Sequence, residues 1–177
     1  MRSLALAAAV LLSACGHSAS FEGGVLHKGD LSVRFGPVPA GWARIDVQGA
    51  DVAYRDEGRS GSALFDVRCH DRDSDAPLAS LTEHLIMGTT ERDYQRQDTL
   101  PFDGREALHT LLAAKLDGVA MQYDIFVMKK DGCVYDLIYV APPDRFAQGS
   151  EGFERFATGL HAAAPGPLTS GLGSSAP

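Results

Sequence analysis

Arg105-Glu-Ala-Leu-His-Thr-Leu-Leu-Ala-Ala-Lys-Leu-Asp117 is the stretch on which the fold of this 177-residue chain turns. Two periods run through it. Ala107, Leu108, Leu111, Leu112 and Leu116 recur at helical spacing, whereas Leu108, Thr110, Leu112, Ala114 and Leu116 line one face of a strand. Periodicity alone leans slightly to the helix, and the segment is left open between the two until its neighbours are read.

On its C-terminal side, Val119, Met121, Tyr123, Ile125 and Val127 alternate with the residues between them, which marks a strand. Lys130-Asp131-Gly132 then supply a turn, and Cys133, Tyr135, Leu137 and Tyr139 share one face of a second strand, so the pair reads as a hairpin. Asp124, Asp136 and Lys130 are expected together on the other, solvated face, as a polar patch or a salt-bridged ladder. Paired carboxylates can act as acid and base, but only in a pocket with shifted pKa values, so no catalytic role is assigned to them. Pro142-Pro143 end the hairpin, and Phe153, Phe156, Ala157 and Leu160 mark an amphipathic helix beginning near Ser150.

On the N-terminal side, Pro77 followed by Leu78, Leu81, Leu85 and Ile86 predicts a helix lying across one face of the sheet, with Asp75 as its cap and Gly88 as its stop. Ser62 to His70 is the clearest strand, with Ala63, Phe65, Val67 and Cys69 facing the core. Leu31, Val33 and Phe35 form another, broken by Gly36-Pro37 and Pro39-Ala40-Gly41. Trp42 to Val47 and Asp51 to Arg55 are short strand candidates. Trp42 and Phe35 read as core rather than as a recognition patch.

The ends of the chain differ in character. Met1-Arg2-Ser3 is a short positive start, Leu4 to Leu12 is an apolar run, and Leu12-Ser13-Ala14-Cys15 closes it, the pattern of a signal peptide over residues 1–14. Those last four residues resemble the lipobox of bacterial lipoproteins. The resemblance implies diacylglyceryl and palmitate modification of Cys15, cleavage before it, and a membrane anchor of two or three acyl chains, which holds where a single chain is marginal. With Gly16 rather than Asp after the cysteine, it implies the periplasmic face of the outer membrane of a Gram-negative bacterium. Residues 15–29, with Gly23-Gly24, read as a lipidated tether. Residues 164–177, rich in Pro, Gly and Ser and without charge, read as a disordered tail. One domain, 30–163, is left between them.

The order of elements in that domain resembles the PsbP-like fold, carried by Gly36-Pro37 through Gly41-Trp42, Gly104, Asp117-Gly118, Tyr135, Ala141-Pro142 and the terminal Phe-rich helix. On that resemblance residues 105–117 are taken as a strand. The fold class it implies is α+β, an antiparallel sheet flanked by two helices. The function it implies is non-enzymatic docking of a membrane-anchored domain onto an unknown periplasmic or membrane protein; the alternatives are a carrier of a small molecule or lipid, in a cavity between the sheet and its helices, and then a hydrolase. Cys69 and Cys133, an even pair in an exported protein once Cys15 is lipidated, are expected to be disulfide-bonded. Two buried free thiols are the alternative.

Composition removes other classes. With 16 basic and 23 acidic residues the chain carries −7, and loss of Arg2 with the signal peptide makes this −8. There is no basic stripe for a nucleic-acid backbone, and no apolar run approaches the roughly 20 residues of a spanning helix. Asp71, Asp73 and Asp75 take alternate positions of a calcium loop, but Ala76 and Thr82 occupy the places of its Gly and Glu, so no metal is assigned. His17, His27, His70, His84, His109 and His161 are scattered and expected at the surface or at sheet edges. Gly58-Arg59-Ser60-Gly61-Ser62 lacks the spacing of a nucleophile elbow and reads as a turn. No catalytic residue and no cofactor are expected.

Overall fold

Residues 105–116 are extended, in the middle of a long meander. The computed structural model describes residues 19–69 and 75–163. The signal peptide, Cys15, the C-terminal tail and most of the acidic loop, with Asp71 and Asp73, lie outside the described residues. In chain order the elements are β1 (Ser20–Glu22), β2 (Val25–Lys28), β3 (Leu31–Arg34), β4 (Trp42–Ile45), β5 (Val52–Asp56), β6 (Gly61–Cys69), α1 (Leu78–Leu85), β7 (Thr89–Phe102), β8 (Arg105–Leu116), β9 (Val119–Lys130), β10 (Cys133–Ala141), α2 (Pro143–Thr158) and β11 (His161–Ala163).

A seven-stranded antiparallel sheet in the order β4-β5-β6-β10-β9-β8-β7 forms the body, and β1-β2-β3-β11 make a second, four-stranded sheet. The meander from β7 to β10 is built by three Asp-Gly turns, 103–104, 117–118 and 131–132, with positive φ at both residues of each. That is the turn whose twist matches the strands on either side of it, and Asp and Gly tolerate the left-handed conformation that it needs.

The sheet is covered on both sides. On one face Phe126, Met128, Tyr135, Leu137 and Tyr139 pack under Phe146, Phe153 and Phe156 of α2 and against Leu26, Val33 and Ala162 of the small sheet. On the other, Leu112, Ile125, Val127 and Val134 pack under Leu81 and Ile86, from α1 and the residue after it. This double cover explains the two periods of residues 105–117. Leu108, Leu112 and Ala114 on one side and Ala107 on the other are all buried, and two interleaved apolar faces produce pairs of adjacent apolar residues that imitate a helical stripe.

Four expectations change. Residues 20–28, read as tether, form the β1–β2 hairpin with Gly23-Gly24 as its turn, and Phe21 packs onto Phe35 at a ring separation of 6.2 Å. Asp75 does not cap α1, whose N-cap is Pro77 without a side-chain bond. β7, not anticipated at all, is a strand of 14 residues. It has almost no apolar face because it is the outermost strand and from Asp93 to Thr99 every residue is exposed. The α2 helix also starts earlier than Ser150, at Pro143, whose ring suits a first helical turn.

Candidate functional site

Cys69 and Cys133 are direct partners in the β6–β10 register, with Cα atoms 4.0 Å apart, and their sulfurs are bonded. Cys133 is buried, but Cys69 is exposed at the strand end rather than tucked into the core. Beside the bond Arg105, Lys129 and Lys130 converge, yet each is paired. Arg105 donates to Asp131, Lys129 to the Ala76 carbonyl and Lys130 to Asp103 and the Ala162 carbonyl.

Asp124 and Asp136 do not share a face. Asp124 pairs with Tyr139 across β9–β10 and points under α2, whereas Asp136 pairs with Val127 and points toward α1. Neither is solvated, with exposures of 0% and 3%. Asp124 Oδ1 accepts from His109 Nε2 at 2.7 Å, and Oδ2 accepts from Ser150 Oγ at 2.6 Å. His109, expected at the surface, is buried with its ring stacked on Phe126 at 4.0 Å. Ser, Asp and His thus meet, but with the carboxylate in the middle. A nucleophilic triad has the imidazole between serine and carboxylate so that it can take the hydroxyl proton. Here both donors are consumed by Asp124, which satisfies a buried charge and pins β8, β9 and α2 together. The Glu154 carboxylate lies within 4.8 Å of the same ligand atoms, the one group among the described residues with metal-ligating chemistry.

The largest unburied features lie at the far end of the meander. The pairs Thr89↔Leu116 and Leu116↔Val119 bring the start of β7, the β8–β9 turn and Met87 together. Met87 is 69% exposed, Val119 60% and Leu116 41%. Ion pairs surround this apolar tip, Lys115 with Glu91 at 2.8 Å and Arg92 with Glu83 at 2.8 Å, and Tyr94 donates to Glu83. The outer edge of β7 is interrupted by register shifts at Thr90/Asp93 and Tyr94/Arg96 and by Pro101, devices that blunt strand addition. The tip was not foreseen because Leu116 and Val119 each continue an apolar alternation, and only the position of the turn tells that they run past the cover of α1.

With this geometry established, comparison with known proteins is informative for the fold. Cyanobacterial PsbP (CyanoP) from Synechocystis superposes with a TM-score of 0.56 at 14% identity, over 89% of this chain and 99% of that one. The fold is PsbP-like. LpqN of Mycobacterium tuberculosis, described as involved in cell envelope biogenesis, superposes with a TM-score of 0.56 at 12% identity, over 82% of this chain and 90% of that one. No family model matches the chain, and no curated protein does. At these identities the likeness concerns architecture, and function has to come from the surface of this chain. No helix among the described residues is long and apolar enough to cross a membrane.

Proposed function

We propose that this protein is a lipid-anchored docking domain of the periplasmic face of the outer membrane, without enzymatic activity, that holds a protein partner through the apolar tip of its meander. The observation that carries this reading is the cluster of Met87, Leu116 and Val119, exposed together inside a ring of Glu, Lys and Arg. An apolar centre with Met and a charged rim is the composition of a protein interface, and bare apolar surface of this kind is costly unless covered. The carrier reading is less well supported. The space between the sheet and α2 is filled by Phe126, Phe146, Phe153, Tyr135 and Tyr139, which leaves no room there for an acyl chain.

The anchor is the lipobox Leu12-Ser13-Ala14-Cys15, with the acyl chains as the attachment, since a net charge of −8 repels anionic lipid. The tether is short, because β1 begins at Ser20. The domain would therefore be held close to the bilayer and meet partners that are themselves membrane-bound.

A photo-crosslinking amino acid placed at Val119 in cells should capture one reproducible protein partner, while the same group at Val38, exposed elsewhere, should not. Met87→Asp, with the crosslinker kept at Val119, should abolish the adduct without lowering the melting temperature. Equal yields from both positions would refute docking at the tip. In the same cells, Cys15→Ala should release the protein from the membrane fraction and end palmitate labelling.

A further inference from the structure

Five side chains form a line of alternating charge that ends under α1. Asp51 Oδ2 accepts from Lys28 Nζ at 2.7 Å, and Lys28 Nζ lies 3.9 Å from Asp66 Oδ1. Asp66 Oδ2 lies 3.8 Å from Arg68 Nε, and Arg68 Nη2 donates to Asp136 Oδ2 at 2.7 Å. Three carboxylates against two cations leave one negative charge unmatched. Asp136 is the buried end of the line, and its other oxygen, Oδ1, has no partner among the described residues. A buried acceptor left bare is costly, and more so when charged, so its persistence calls for a donor.

That end of the line opens on a cavity of about 150 Å³ between β6, β10 and the end of α1, lined by Leu64, Asp66, Arg68, Leu85, Asp136 and Ile138. Its polar side holds the carboxylates of Asp66 and Asp136 and the Arg68 guanidinium, whose Nε likewise has no hydrogen-bond partner among the described residues, and its other walls are apolar. A hard metal ion would require six or more oxygen ligands and would lie beside the Arg68 guanidinium, so the cavity does not fit one. An anion would meet the bare carboxylate. We propose that the cavity binds a small organic cation, an alkylammonium whose N–H donates to Asp136 Oδ1 while its short chain lies on Leu64, Leu85 and Ile138. The ammonium completes the charge alternation, and a space of about 150 Å³ suits a short alkyl chain. Burial raises Asp136, Arg68 lowers it and Asp66 raises it, to a value of about 6, so at neutral pH the carboxylate is mostly ionised and open to such a partner. This site is separate from the docking tip, and neither proposal rests on the other.

The test is methyl NMR of the full chain titrated with n-butylammonium chloride, with 1-butanol as the uncharged equivalent and sodium chloride as the ionic-strength control. Saturable shifts confined to the methyls of Leu64, Leu85 and Ile138 are expected with butylammonium. Binding should weaken at least tenfold for 1-butanol and for Asp136→Asn. Ile138→Phe, which fills the cavity and leaves the carboxylate in place, should also abolish it, and guards against a fold defect in the first variant. Equal binding of 1-butanol would show a merely apolar cavity. Absence of saturable shifts would mean that water alone fills the space, and unchanged affinity in Asp136→Asn would mean that the carboxylate does not hold the ammonium; each of these results overturns the proposal.

Discussion

Two aspartates show how much a single side chain owes to its surroundings. Asp124 and Asp136 have the same chemistry and lie on adjacent strands, yet Asp124 has both oxygens hydrogen-bonded and Asp136 has one bare. The difference has a consequence for stability. Asp136 is held at about 6, above the ordinary carboxylate value, so the folded state binds its proton more tightly than the unfolded chain does. Its contribution is therefore fully present below pH 4 and is lost as pH rises through 6, a swing of about 3 kcal/mol for a shift of roughly two pH units. Asp136→Asn should gain on wild type by about that amount between pH 4 and pH 8 in urea unfolding, and a difference that does not change with pH would contradict the assignment. Neither carboxylate's setting was legible beforehand. An aspartate in an alternating strand reads as the solvated face by default, and nothing local reports that both faces of β9 and β10 are covered.

At the scale of elements, the Asp-Gly turns do most of the organising, and the first of them does more than turn the chain. Asp103 accepts from Lys130 Nζ at 2.7 Å, from His161 Nδ1 at 2.8 Å and from the Ala162 amide at 2.8 Å. The β7–β8 turn is thereby fastened to β9 and to β11 of the small sheet. Burial alone would raise its pKa, but the bonds from Lys130, Ala162 and His161 outweigh that and hold it below the usual carboxylate range. Its contribution is thus present above pH 4 and is lost as pH falls through the folded-state value. Asp103→Asn, which keeps the left-handed turn, should cost about 2 kcal/mol at pH 7 and progressively less below pH 4, measured by the same urea unfolding. The recurrence of Asp-Gly at 103, 117 and 131 was also the available signal for β7. Equal spacing of two-residue turns implies a strand before the first as well as after the last, even where Thr89 to Phe102 has no hydrophobic alternation to announce it.

For the molecule as a whole, the Cys69–Cys133 bond closes a loop of 64 residues that contains α1 and β7 to β9. On the chain-entropy model such a loop stabilises by about 4 kcal/mol. Cys69→Ser with Cys133→Ser should lower stability by about that amount under oxidising conditions, and mass spectrometry of the unreduced wild type should find neither thiol alkylated. Read alone, the chain already specified the hairpin of β9 and β10, the helix after Pro77, the Phe-rich final helix and the pairing of its two internal cysteines, while the α+β class came from the resemblance of its element order to the PsbP-like fold. Those features follow from local alternation, from turn residues and from cysteine count, which need no knowledge of distant contacts. The tertiary structure decided the remainder: that residues 105–116 are a strand, that 20–28 belong to a sheet, that His109, Asp124 and Asp136 are buried, and that Met87, Leu116 and Val119 are left bare. Burial is set by what packs over a residue from elsewhere in the chain. The cover of α1 on one face and α2 on the other therefore fixes which polar groups become buried sites and which apolar ones become surface.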